Sequence, residues 1–144
     1  MLGSIMEIID NNVIIKLAID ITNQPNLVSL HVVFEDGDNR VVGEVAQVNQ
    51  TKMVANILGE IKNGGFTPGS AIKPSFKSKV RLIKIDELAT ILGDQETKLG
   101  QTNFGTSNIY PGYKINVNIN DFFSNHFAIL GNSGAGKSCS VASI

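Results

Sequence analysis

The run Gly131-Asn132-Ser133-Gly134-Ala135-Gly136-Lys137-Ser138 leaves this chain the fewest choices of fold. Gly131, Gly136, Lys137 and Ser138 stand at the spacing of a phosphate-cradling loop, Gly-x-x-x-x-Gly-Lys-Ser/Thr. The chemistry sets that spacing. Gly134 and Gly136 let the backbone curl so that successive N–H groups point inward, where a side chain would block an anion or forbid the dihedral angles. Lys137 is expected to reach the phosphates as a point charge, and Ser138 to offer its hydroxyl to Mg²⁺. Asn132, Ser133, Gly134, Ala135, Gly136, Lys137, Ser138 and Cys139 are therefore the candidate residues for ATP, with Lys137 the catalytic candidate and Ser138 the metal candidate. The four fixed positions should coincide by chance in roughly one chain of this length in a few hundred. Context strengthens the reading. Phe127 to Leu130 is a short apolar run suited to a buried parallel strand, and Cys139 to Ile144 can start a helix whose positive end faces the anion.

Most of what precedes the loop looks different. From Ile5 to about Ile85, β-branched runs alternate with turn signals roughly every ten residues. Strands are expected over Val13–Ile19, Leu27–Phe34, Val41–Val48, Lys52–Ile61 and Phe76–Ile85, with Pro25-Asn26 breaking the run after the first. Turns are expected at Glu35 to Asn39, near Asn49-Gln50, at Asn63-Gly64-Gly65 and at Pro68-Gly69. Five or six such strands predict a small β-barrel or sandwich, whose closure hides strand edges. Asp86 to Gly93 predicts one short helix, capped by Asp86, with Leu88, Ile91 and Leu92 on one face and Gly93 at its end. Asp94 to Ser107 is polar and glycine-containing, hence a linker or long loop. Lys114 to Asn120 alternates as an extended segment. The expected division is a barrel with its short terminal helix over 1–93, a linker and extended segment over 94–120, and the start of a P-loop domain over 121–144.

Charge and cysteine narrow the setting. The net charge is −1, so any contact with nucleic acid must come from a local patch. Cys139 is the one cysteine and has no second for an internal disulfide, which suits a reducing cytoplasm. No basic leader opens the chain, and no apolar run approaches the 18 or so residues of a membrane span. A cytoplasmic protein that does not enter a membrane is expected. A complete nucleotide-binding unit needs a βαβ element of about thirty residues, and six residues follow Ser138. The expectation is an N-terminal part of a longer protein, inactive as an ATPase by itself.

The order of parts, with Val41-Val42-Gly43-Glu44-Val45, Phe66-Thr67-Pro68-Gly69 with Pro74 and Val80, and Ile115 to Ile119 running through Phe122 to His126 and Gly131, resembles the HerA family of hexameric DNA-translocating ATPases. The resemblance implies a HAS-type barrel followed by the truncated start of a RecA-like α/β P-loop domain, a mainly β chain overall. It further implies ATP and Mg²⁺ as cofactors, a homo-oligomeric, hexameric ring, DNA as partner, and a nuclease as an accompanying protein. That family usually carries Thr and Ser where this chain has Ser133 and Ala135. An ABC-type ATPase shares the loop pattern but follows a much shorter β lead. In a third reading the barrel is an oligomerisation or docking module beside an incomplete ATP site.

Other residues carry competing readings. Lys73, Lys77, Lys79, Arg81 and Lys84 form a basic run without an acid, and Lys77, Lys79 and Arg81 share one face of a strand. That face is either a phosphate-tracking surface or, more ordinarily, the solvated outside of a barrel. His31 reads as a satisfied residue of an apolar strand, His126 as a lead-in residue or a nucleotide contact, and Phe122 and Phe123 as packing. The sequence holds no Cys-x-x-Cys or His-Glu-x-x-His, which argues against a protein-held zinc.

Overall fold

The structure, a computed structural model, describes residues 1–22, 24, 26–69, 72–124, 126 and 128–142. Hairpins build its larger part. β1 (Gly3–Ile9) and β2 (Asn12–Leu17) meet at Asp10-Asn11, and β3 (His31–Asp36) and β4 (Asn39–Val48) meet at Gly37-Asp38. β5 (Lys52–Lys62) turns into β6 (Gly65–Pro68) through Asn63-Gly64, both at positive φ (52° and 77°), the turn whose hand matches strand twist. β7 (Lys79–Leu82) then inserts between β1 and β3, antiparallel to both. Since β2 also pairs with β5, the order β1-β2-β5-β4-β3-β7 closes on itself as a six-stranded barrel. β6 rides outside that ring, taking the edge of β5 that β2 leaves unpaired.

Alternation decides which side chains fill the barrel. Val13 and Ile15, Val32 and Phe34, Val41 and Val45, Met53, Ala55 and Ile57 step by two along their strands and form one cluster with Leu2, Ile5 and Val80. Gly43 faces the same interior. A Cβ there would stand 3.1 Å from the Phe34 ring and 3.0 Å from the Asn56 carbonyl oxygen, so the missing side chain makes room for the aromatic.

Val33 and Val42 face away from that cluster yet are fully buried. Strand pairing lines up Arg81, Val33, Val42 and Gly59 across the outside of the barrel. α1 (Ile85–Leu92) lies on this side of the barrel against β6, with Leu88 buried and Glu87 reached by Arg81 and Arg40. Gly59 keeps the row flat, for a Cβ would lie 2.2 Å from the Thr67 carbonyl oxygen and against the Phe66 ring.

Several boundaries differ from expectation. Residues 27–30 form a turn in which Leu30 N–H donates to Leu27 O, so β3 begins at His31. β7 is confined to Lys79–Leu82, because a turn from Ser75 to Ser78 precedes it and α1 follows at once. The cap of α1 is Lys84 rather than Asp86: its N–H donates to Glu87 Oε2 at 3.0 Å, the acidic half of a capping box. The polar stretch 94–107 is no plain linker. Gln101–Thr106 is β8, paired antiparallel with β9 (Lys114–Asn118), and Ile119–Ser124 is α2 rather than a continuation of the extended segment. β8 escaped the pattern because Thr102, Asn103 and Phe104 are all exposed, so no buried face imposes alternation. Ala128, Ile129 and Leu130 pair with no strand among the described residues, and the expected strand's first residue, Phe127, lies outside them, as does Pro25 of the expected break. An extended apolar run becomes a strand only when a neighbour supplies the ladder.

Candidate functional site

The glycine loop is reached through the β8–β9 hairpin and α2. Asn118 closes β9, and its Oδ1 accepts from the N–H groups of Asn120 (2.9 Å) and Asp121 (3.2 Å), which starts α2. Phe122 packs on Phe104 at 5.5 Å between ring centres and meets Phe123 edge to face at 5.2 Å, the packing role expected of the pair.

Residues 131–137 curl. Gly134 and Gly136 take φ of 82° and 78°, Ala135 between them does not take a positive φ, and Ala135 N–H donates to Asn132 O at 3.2 Å. Alternation of backbone hand is what turns successive N–H groups toward one side. The curl is tight enough that a Cβ on Gly131 would meet Ala135 Cβ at 3.4 Å and the Lys137 stem at 3.6 Å. Lys137 folds back over the loop, its Nζ donating to the carbonyls of Gly131 and Asn132, each at 2.7 Å. α3 (Lys137–Ala142) begins there, and Ser140 donates to Gly136 O through both its N–H (2.9 Å) and its hydroxyl (3.1 Å). Asn132, Ser133, Gly134, Ala135 and Gly136 thus lie contiguously on the exposed loop, with Ser138 and Cys139 on the first turn of α3. Positions 134 and 136 open onto unfilled space, since a Cβ at either would meet nothing within 4 Å. His126 is exposed ahead of the loop. Among the described residues no group of three or more His, Cys, Asp or Glu is placed to hold a metal ion, and no helix is long and apolar enough to cross a membrane.

The basic strand divides. Arg81 is no free cation. Its guanidinium is bidentate to Glu87 (2.7 Å to each oxygen) and also reaches Glu35 at 2.7 Å, while Arg40 approaches Glu87 at 3.4 Å. Hydrogen bonds from Arg81 hold the Glu87 carboxyl down to about 2 and push the Glu35 carboxyl below its ordinary value. The partner acids come from β3 and α1, so a strand read alone could not reveal them. Lys77 and Lys79 remain exposed.

Sequence reasoning missed the contacts that tie the hairpin to the barrel. Tyr113 is buried and its hydroxyl donates to Gly93 O at 2.8 Å, at the end of α1. Tyr110 meets His31, which is satisfied as expected, though by a partner 79 positions away. Nothing in the local pattern announces either pairing.

A closed β-barrel carrying a hairpin, a short helix and a glycine loop at a helix start defines the class: a mainly β chain leading into a glycine-loop module. Residues 102–144, which begin within β8, match the family model for the central domain of helicase HerA, so the resemblance to that family rests on the last third of the chain. No curated protein matches it.

Proposed function

We propose that this chain is the barrel and nucleotide-loop portion of a HerA-like ATPase that couples ATP hydrolysis to movement on DNA as a ring of identical subunits. The observation that carries the reading is the curl of Gly131–Lys137 with the Lys137 ammonium folded over it, within a stretch that matches the HerA central domain.

The residues present fit Mg-ATP. Glycines at 134 and 136 supply the reversed backbone and leave the inner surface open, so the amides of 132–138 can bind phosphate oxygens. Lys137 would exchange its two carbonyl partners for phosphate oxygens, a stronger, charge-assisted pairing. Ser138 would hold the Mg²⁺ and Cys139 would bring its backbone N–H to the start of α3. When bound, ATP supplies the phosphoanhydride bond whose hydrolysis drives motion. DNA, the hexameric ring and a nuclease partner follow from the family and stand as part of this proposal.

Mg-ATP at a hundredfold over its Kd is expected to stabilise the protein by about 2.7 kcal/mol in a thermal-shift measurement. Lys137→Ala should abolish the shift. A shift of unchanged size in that variant would remove Lys137 from the site, and no shift in the unaltered protein would sink the ATP reading.

For DNA, the exposed pair Lys77 and Lys79 is the surface to test, since Arg81 is committed to Glu87 and Glu35. Lys77→Ala with Lys79→Ala should weaken binding evenly across sequences and lower the salt slope by roughly 1 for each phosphate no longer neutralised. An unaltered slope would leave these lysines as the solvated face of the barrel.

A further inference from the structure

Tyr110 lies at the tip of the β8–β9 hairpin, in a turn closed by its own bonds. Ser107 Oγ accepts from the N–H groups of Ile109 and Tyr110, Ser107 N–H donates to Tyr113 O, and Tyr113 N–H donates to Tyr110 O. From this tip the phenol crosses to the first residue of β3. Its oxygen lies 2.8 Å from the His31 backbone N and 2.8 Å from His31 Nδ1, and the two rings stack at 5.8 Å and 25°.

The double contact is best satisfied by one arrangement of protons. The His31 N–H can only donate, so the phenol oxygen accepts it. The phenol's one hydrogen is then available to Nδ1, and the neutral tautomer with its proton on Nε2 gives that hydrogen an acceptor. Protonating the ring would set two N–H donors against one oxygen and take that acceptor away from the phenol hydrogen.

We propose that His31 and Tyr110 form a protonation-controlled joint that fixes the barrel to the hairpin from which the chain runs into the glycine loop. Burial favours the neutral imidazole and so the closed joint, and pulls the His31 pKa below its ordinary value. The charged group opposing this is Glu44, which sits across from His31 on β4 and favours the cation. The other elements against His31 bring neutral groups: Ile83, whose N–H donates to His31 O, and Tyr110 itself. The sign follows. The unfolded chain's histidine binds a proton more readily than the closed joint's, so the joint is at full strength above pH ~6.5 and weakens as pH falls below it. Opening would swing the tip and not release it. Tyr113 stays bonded to Gly93 O and Asn116 Nδ2 to Asp94 O, and neither bond involves histidine. His31 and Tyr110 act on the loop by position, through β9 and α2, and touch none of its residues. The consequence for nucleotide binding rests on the function proposed above; the joint itself does not.

Amide hydrogen exchange followed by NMR across pH tests it. Corrected for intrinsic rates, protection of the His31 amide should fall roughly tenfold between about pH 7.5 and pH 5, the worth of one hydrogen bond. Tyr110→Phe keeps the ring and removes the hydroxyl, so its His31 amide should be weakly protected at both values. His31→Asn places an acceptor near the Nδ1 position without a titrating group, so protection should stay high and flat. A flat profile in the unaltered protein, normal protection in Tyr110→Phe, or a surviving acid drop in His31→Asn would each overturn the joint. A Mg-ATP thermal shift at both pH values adds the functional arm. The shift should shrink at low pH in the unaltered protein and hold in His31→Asn. A missing ATP shift throughout, with the exchange results intact, would strike the proposed function and leave the joint standing.

Discussion

Phe34→Ala is expected to destabilise the protein by about 3–5 kcal/mol, the largest effect of any single replacement proposed for this chain. Phe34 is only 1% exposed and lies in the barrel cluster, paired across the sheet with Val41 on one side and Val80 on the other. Two of its neighbours belong to strands that cannot move independently, because the closed ring holds each by ladders on both edges. The space left by the ring therefore persists as a cavity. Gly43→Ala probes the same contact from the opposite side: its new methyl would stand 3.1 Å from the Phe34 ring and should cost about 1–3 kcal/mol through overpacking. Because the two positions touch, the double variant Phe34→Leu with Gly43→Ala should cost less than the sum of its parts. Urea unfolding measures all of these, and a cost below about 1 kcal/mol for Phe34→Ala would mean that the barrel interior is not packed around that ring.

Arg81→Ala should cost about 3 kcal/mol at neutral pH, because it leaves Glu87 nearly buried with only the longer, 3.4 Å contact to Arg40 as counter-charge. The acid dependence makes the prediction sharper. Glu87 is held at about 2 in the folded protein, against about 4.5 for an unperturbed carboxyl, so the unfolded chain binds its proton first as pH falls. The stabilisation is complete above about pH 4.5 and drains away down to about pH 2, worth roughly 3 kcal/mol over that window. Arg81→Ala should flatten this part of the stability-against-pH curve while lowering its neutral plateau. An unchanged acid slope in the variant would assign the acid sensitivity to some other carboxylate. The same cluster explains why replacing Lys77 and Arg81 together would be a poor test of DNA binding: the fold itself would be disturbed.

Individual residues show how much the sequence disclosed. The barrel was legible because β2 and β5 each keep one face buried and the other wetter, so Val13 and Ile15 or Met53, Ala55 and Ile57 had to recur at every second position. The turn at Asn63-Gly64 was legible because its two residues reach φ of 52° and 77°, which few residues accept. The glycine loop was legible for the same reason at Gly134 and Gly136. The hairpin of β8 and β9 was only half visible, since β8 lies in solvent on both faces and nothing forces its polar residues into a rhythm. Val33 and Val42 are fully buried on the outward face of the barrel, and nothing in the local pattern marks them as such.

By itself the sequence determined β2 to β5 and β7 in outline, most of the turns between them, the short helix after β7 and the reversed backbone of the glycine loop. Each depends on the conformational limits of single residues or on which face of one strand meets water, and both are written locally. Only the tertiary structure decided that β7 would close the ring, that Arg81 would commit its charge to Glu87 and Glu35, and that Tyr110 would settle on His31. Those outcomes join side chains far apart in the chain, and a hydrogen bond across 79 positions exists only once packing has brought its two ends within 2.8 Å.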